Sequence, residues 1–162
     1  MKKSAIAIVL GISVISVSSC NPNLKTSEKT DNAEQNMTNT EEQTVEFKTA
    51  ENYFVKNTIK ETVPTKITTQ TDFDKYFGMA TTMGENGKPT PIDFSKEFVI
   101  VVDHPETSLK TEITPISLEE KGSDVVLNYT ITEGEDAGFT IRPFVMIIVN
   151  KDSDGNVILQ KN

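Results

Sequence analysis

Two side chains in this 162-residue sequence could support nucleophilic catalysis, the single histidine and the single cysteine. A serine or cysteine nucleophile needs a base beside it, most often a histidine, and here only His104 could be that base. The G-x-S-x-G frame of a nucleophile elbow is absent. The cysteine, Cys20, stands behind an apolar run that predicts another use for its thiol. The sequence therefore predicts a non-catalytic protein without a cofactor, and an unrecognised enzyme is a lesser alternative.

One cluster of metal-ligand types follows a predicted strand. Asp103, His104 and Glu106 offer an imidazole and two carboxylates, which together could hold a divalent ion. Successive side chains of a strand point to opposite faces, so these groups diverge if the strand continues. A solvated turn opened by the His-Pro dipeptide is the preferred interpretation.

A second segment, NKDSDGN, resembles the start of a calcium-binding loop. Asn150, Asp152 and Asp154 occupy its first ligand positions, with Gly155 at the sixth. The twelfth position is Lys161, which cannot supply the bidentate carboxylate of such a loop. We regard these residues as weak metal candidates, and the Asp-Gly dipeptide favours the turn of a terminal β-hairpin.

Cys20 is placed where a bacterial lipoprotein carries its lipid. A cationic start (Lys2, Lys3) precedes an apolar core over 5–17 and then two small residues, which together are typical of an export signal. The apolar core is roughly 20 Å long as a helix, short of the ~30 Å hydrocarbon layer. Val17-Ser18-Ser19-Cys20 resembles a lipoprotein box, so we predict a signal peptide over 1–19. Acylated Cys20 is the predicted membrane anchor, with palmitate-type chains.

The compartment follows from the same segment. Asn21, rather than the aspartate often associated with inner-membrane retention, follows the cysteine, so we predict the outer membrane of the cell envelope. Neither the periplasmic nor the surface face is preferred. After removal of Lys2 and Lys3 the chain carries 14 basic and 24 acidic residues, a net charge of -10. Nucleic acid is excluded as a partner because phosphate binding needs clustered basic residues.

The mature chain divides into a tether and one domain. Residues 20–46 are polar and lack aromatic side chains, so we predict a lipidated cysteine followed by a disordered tether. Residues 47–162 have the length of a single domain. Alternating and continuous apolar runs predict mainly β structure, a β-sandwich or a curved antiparallel sheet, in which the run Phe98–Val102 is a central strand.

One short helix is predicted in the domain. Phe73, Tyr76, Phe77 and Ala80 follow helical spacing, with a capping-box-like start at Thr71. Two later strands are also expected, "TEITPISLEE" at a sheet edge because of its proline and "VVLNYTITEG" half-buried. "EGEDAG" is interpreted as a turn.

The order of elements resembles a known family of envelope proteins. An aromatic helix, "PIDFSKEFVIVV", two further strands and "IRPFVMIIV" are similar to the C-terminal domain of PrcB-type lipoproteins, accessory subunits of a surface protease complex, over about residues 66–150. The matching positions are Phe73, Phe77, Asp93, Phe94, Ser95, Lys96, Arg142, Pro143 and Phe144. The Gly-Gly-Tyr strand entry of that family is replaced here by "HPETSLKTEI". The resemblance implies a lipid-anchored, non-catalytic helper protein.

The solitary arginine is the most informative polar residue. Arg142 could pair with Asp93 or another acid to stabilise the fold, or could contact a partner on a binding edge formed with loop 81–92 and turn 103–108. Asp93, Arg142, Pro143 and Phe144 are the candidate binding residues. The triplet over 142–144 also resembles a short loop motif of chagasin-like cysteine-protease inhibitors.

These observations predict a lipid-anchored binding protein. The preferred function is that of an accessory subunit of an envelope complex, with membrane lipid and another protein as partners. The resemblance implies that this complex contains a protease. A lipoprotein that binds a cation or a small molecule is the alternative. A protease inhibitor is a lesser alternative.

Overall fold

The structure, a computed structural model, describes residues 43–80 and 87–162. The predicted signal peptide, Cys20, most of the predicted tether and the segment 81–86 lie outside the described residues. Predictions about those parts therefore stay predictions.

Ten strands and one α-helix form within the described ranges. In chain order they are β1 (Gln43–Thr44), β2 (Phe47–Thr49), β3 (Tyr53–Val55), β4 (Lys66–Ile67), α1 (Gln70–Tyr76), β5 (Phe77–Met79), β6 (Glu97–Asp103), β7 (Thr107–Lys121), β8 (Asp124–Ile141), β9 (Phe144–Asn150) and β10 (Asn156–Lys161). The prediction of a mainly β fold with one short helix is confirmed.

The strands form two four-stranded sheets and a small pair. The first sheet has the order β1-β7-β8-β10 and the second β2-β9-β6-β4, while β3 pairs with β5. Neighbours are antiparallel except β8 and β10, which are parallel. The two sheets pack face to face, so the sandwich alternative of the sequence analysis is the observed one.

Strand β6 lies at the centre because its side chains are apolar on both faces. Phe98, Ile100 and Val102 point between the two sheets, where they meet Leu118 and Leu127 of the first sheet. The alternate residues of β6 point to the other face of the second sheet, where α1 and the β3–β5 pair cover them; the buried members of this outer layer are Ala50, Val63, Ile67, Phe73, Tyr76, Phe77, Val99, Val101, Met146 and Ile148. The predicted central strand is confirmed.

The long strands β7 and β8 extend beyond the sandwich core. Their hairpin turn lies at Gly122, whose positive φ of 67° suits a residue without a β-carbon. Ile113 and Leu118 of β7 are buried in the core, whereas the preceding residues are not. The remaining part, Thr107–Glu112 paired with Thr132–Ile141, is interrupted by register shifts and is largely exposed. We call this part the ribbon. The turn predicted for "EGEDAG" is therefore wrong, since these residues belong to β8.

The helix begins and ends earlier than predicted. Thr69 is the N-cap, and its hydroxyl accepts a hydrogen bond from the backbone N–H of Asp72. Phe77 leaves helical geometry and starts β5, which pairs with β3. The apolar spacing could not distinguish the last predicted turn from a strand, because Phe77 is buried in either conformation.

The predicted terminal hairpin is wrong. Strand β9 belongs to the second sheet and β10 to the first, so the turn between them crosses from one sheet to the other. The Asp-Gly turn does not join two neighbouring strands of one sheet. It leads into β10, which pairs with β8 in parallel. Turn chemistry sets local geometry, but the choice of sheet depends on where an edge is open.

The described domain includes residues before the predicted boundary at Phe47. Strand β1 pairs with β7 at Glu119 and Glu120, and Val45 is buried in the sandwich core.

Pro115 lies in a part of β7 that, among the described strands, pairs only with β8. No described strand pairs with the other side of β7 there, which suits a residue without a backbone N–H donor. Among the described residues, no helix combines the length and apolar character needed to cross a bilayer.

Candidate functional site

Arg142 lies in the short connection between β8 of the first sheet and β9 of the second sheet. It follows β8, and the next strand, β9, pairs with β6 so that Phe144 faces Asp103. Arg142 Nε and Nη2 donate to the two carboxylate oxygens of Asp103 at 2.9 and 2.6 Å. This bidentate pair is largely buried, with 17% of the Arg142 and 6% of the Asp103 side chain exposed.

The same guanidinium also holds the loop before β4. Arg142 Nη1 donates to the carbonyl of Ile59 and Nη2 to that of Glu61, at 2.9 and 2.8 Å. Asp103 Oδ2 accepts a further hydrogen bond from the N–H of Val63. The hydrogen bonds to Asp103 raise the pKa of Arg142. Arg142 is therefore a structural clamp between three segments, and most of its donors are engaged.

Of the two predicted alternatives for Arg142, a pair with Asp93 or with another acid, the structure shows the second. Asp93 Oδ1 instead accepts from the N–H and the hydroxyl of Ser95, at 3.0 and 2.6 Å, and these hydrogen bonds lower the pKa of Asp93. The turn that it forms precedes β6, whereas Asp103 ends that strand. Seven strand residues span roughly 23 Å at ~3.3 Å each, so one arginine cannot reach both acids. The alternative, "another acid", is Asp103.

Pro143 and Phe144 are packed into the domain. Pro143 is buried, and its carbonyl accepts from the N–H of His104 at 2.9 Å. The ring of Phe144 lies 5.5 Å from that of Phe77 in the outer layer. These two residues do not project as a loop motif of an inhibitor would.

An open cleft of about 500 Å³ adjoins the clamp. Its lining residues are Lys60, Thr62, Asp103, His104, Pro105, Glu106 and Arg142. Arg142 and turn 103–108, which were predicted to share one binding edge, both line this cleft. Pro89, Pro91 and Ile92 of the predicted loop line a different pocket of about 300 Å³ beside Tyr53 and Phe73.

The cleft does not gather a metal-ligand set. Asp103 is engaged by Arg142 and Val63, and His104 Nδ1 lies 2.9 Å from the carbonyl of Pro105. No group of three or more His, Cys, Asp or Glu side chains across the described ranges could hold a metal ion.

The Asn150–Gly155 turn also has internal partners. Asn150 Oδ1 caps a short 3₁₀ turn by accepting from the N–H of Asp152 at 2.9 Å. The Lys66 ammonium contacts the Asp154 carboxylate and the carbonyl of Gly155, so a cation of the protein itself occupies this position. It also lies 4.9 Å from the ring centroid of Phe98. The weak calcium candidates therefore have a structural role in the turn between β9 and β10, which we call the crossover.

The ribbon carries the most exposed aromatic side chain of the described domain. Phe139 is 64% exposed. It lies in a stretch of β8 that contains more residues than the stretch of β7 opposite it. Gly138 has a positive φ of 76°, and its N–H donates to Asp136 Oδ1 at 2.7 Å. A bulge of this kind re-aims a side chain, here toward solvent. Sequence reasoning missed it because the turn-like composition hid a strand; the signal was a phenylalanine after a glycine in an acidic segment.

Acidic groups are distributed along the ribbon that carries Phe139. Glu112, Glu133, Glu135 and Asp136 are exposed there, against one lysine, Lys110. No protein-family model, curated protein or solved structure matches the chain. The resemblance to PrcB-type lipoproteins therefore stays a prediction.

Proposed function

We propose that this protein is a lipid-anchored envelope protein that acts by binding another protein, as an accessory subunit of a membrane-associated complex. The observation that carries the proposal is the ribbon: an acidic, exposed two-stranded element that presents Phe139. Aromatic side chains near the centre of a protein interface commonly supply a large share of its binding energy.

The anchor part of the proposal rests on residues 1–20. The cationic start, the short apolar core and Cys20 after two serines support export followed by acylation. A single folded domain held at a bilayer by fatty chains needs no spanning helix of its own. The anchor places the ribbon near other envelope proteins.

The charge of the ribbon supports a partner with a basic surface. Four carboxylates against one lysine create a negative potential, which accelerates the approach of a basic protein and disfavours acidic ones. Phe139 would then fill an apolar pocket on that partner, with the carboxylates at the rim.

A matched pair of variants tests the proposal at native expression. After chemical crosslinking and detergent extraction of membranes, the unsubstituted chain should recover a stoichiometric partner protein. Phe139→Ser should lose it, because the aromatic contact is removed. Met79→Ser is the control, since Met79 is 66% exposed on the separate strand β5. No recovered partner, or equal recovery with Phe139→Ser, would contradict the proposal.

A further inference from the structure

The edges of the two sheets differ in length. Edge strands β1, β2 and β4 contain two or three residues, which leaves little backbone for another strand to pair with. Edge strand β10 contains six, in continuous register with β8 and without a proline. No strand of the described residues lies beyond it. Proteins usually protect a long edge, because its unpaired N–H and C=O groups are a template for pairing.

The orientation of the open backbone groups follows from the hydrogen bonds to β8. The N–H of Asn156 donates to the carbonyl of Ser123, and that of Asn162 to the carbonyl of Tyr129. In a parallel pair every second residue faces the same neighbour. The N–H and C=O groups of Val157, Leu159 and Lys161 therefore point away from β8, toward the open side.

We propose that β10 pairs antiparallel with β10 of a second copy, with the two-fold axis at Ile158. Val157 of one copy and Leu159 of the other then exchange hydrogen bonds in both directions. The two Ile158 side chains, each 40% exposed on the outer face, contact each other. The two first sheets become one continuous sheet of eight strands. Centring the axis on Leu159 would instead place Ile158 opposite the amide of Gln160.

The size and charge of this contact set its strength. A single strand edge buries less than the ~1,200–2,000 Å² of a stable protein interface, so the dimer is reversible and depends on concentration. Both copies are acidic, with a net charge of -8 over the full sequence, and repel each other. Added salt screens this repulsion and strengthens the dimer, whereas it weakens binding of a basic partner.

Disulfide crosslinking of the full chain tests the register. Residues at position 158 would form a non-hydrogen-bonded pair with Cα atoms about 4.5 Å apart, within the ~4.4–6.8 Å range of disulfides. Ile158→Cys should therefore give a crosslinked dimer. Asn156→Cys and Gln160→Cys should not crosslink alone but should crosslink when mixed, because position 156 faces 160 of the other copy. The unsubstituted chain, which retains Cys20, gives the baseline.

A charge variant tests the contact without oxidation. Native mass spectrometry of the detergent-solubilised full chain should show a dimer that increases with protein and salt concentration. Ile158→Asp should weaken it at least tenfold by placing two carboxylates at the axis. Ile116→Asp should not, although Ile116 is 54% exposed, because it lies on β7 rather than at the proposed contact. Circular dichroism verifies the fold of both variants.

Several outcomes would overturn the proposal. They are a monomer at every concentration, a dimer that Ile158→Asp leaves intact, or crosslinking of Asn156→Cys or Gln160→Cys alone. These results do not depend on the ribbon, and the native mass spectra of Ile158→Asp, which introduces no thiol, do not depend on the state of Cys20. A failure here is therefore distinguishable from a failure of the proposed function.

Discussion

The only arginine of the chain is committed to structure. Arg142 bonds both oxygens of Asp103 and two backbone carbonyls, at a point where three segments meet. Its guanidinium suits this task because its donors form a planar fork that matches a carboxylate. From the sequence, Arg142 could be structural, paired with Asp93 or another acid, or could contact a partner; the residue types did not identify Asp103. Asp103 is 39 residues away along the chain, and residue types alone do not encode such a distant pairing.

Replacing Arg142 with lysine should destabilise the domain by about 1–3 kcal/mol, the usual cost of leaving buried hydrogen-bonding groups unsatisfied. The lysine keeps the charge but cannot bond both oxygens of Asp103 and the two carbonyls together. Urea unfolding measures the change. Lys96→Ala is the control. The Lys96 ammonium lies 3.9 Å from Asp93 and the Lys96 side chain is 77% exposed, so we expect a change below about 0.5 kcal/mol. Equal effects of the two substitutions would exclude the clamp.

Glu119 should contribute to the acid dependence of stability. Hydrogen bonds from Ser117 and then Lys121 lower its pKa from the ordinary value of 4.5. A lowered folded-state pKa gives stability that is complete above 4.5 and is lost as the pH falls through the folded-state value. Urea midpoints of Glu119→Gln should therefore fall less steeply below pH 4.5 than those of the parent chain. A slope of Glu119→Gln equal to that of the parent chain would contradict this contribution.

At the scale of elements, patterning predicted burial better than connectivity. The run Phe98–Val102 was correctly placed at the centre because only a strand covered on both faces is apolar throughout. The β9–β10 hairpin was wrong because the same Asp-Gly turn serves a crossover between sheets. The ribbon was missed since its bulges and acids mimic a turn. Local residue types thus determine which face is buried, while the choice of neighbouring strand depends on contacts distant in sequence.

The close approach of the crossover to β8 makes Gly155 a structural requirement. A β-carbon there would lie 2.7 Å from the carbonyl oxygen of Ser123 and 2.9 Å from a methyl group of Val125. We expect Gly155→Ala to destabilise the domain by about 1–3 kcal/mol, the usual cost of overpacking. In urea unfolding, Gly134→Ala is the matched control, since its nearest neighbour would be 3.4 Å away. A Gly155→Ala protein as stable as its parent would exclude the close approach.

At the scale of the whole molecule, the described part of the sandwich core is formed by residues of the folded domain. Its buried members extend from Val45 to Val149, and β10 completes the first sheet with Val157 and Leu159. We expect the proposed anchor and the folded domain to be separable in stability. Attachment to the membrane should depend on residues 1–20 alone, and the unfolding transition on the domain alone.

Cys20→Ser tests this separation directly. Without the thiol no diacylglycerol can be attached, so the full chain should move from the membrane fraction to the soluble fraction of the envelope. The domain should unfold at the same temperature as in the parent chain, since Val45 and all other buried residues remain. Ser19→Ala, which preserves the thiol and a small residue before it, should stay membrane-bound. Intact mass should identify an acylated amino-terminal cysteine in that control. If Cys20→Ser stays in the membrane fraction, the domain itself must provide the attachment, and the anchor assigned to the sulfur is wrong.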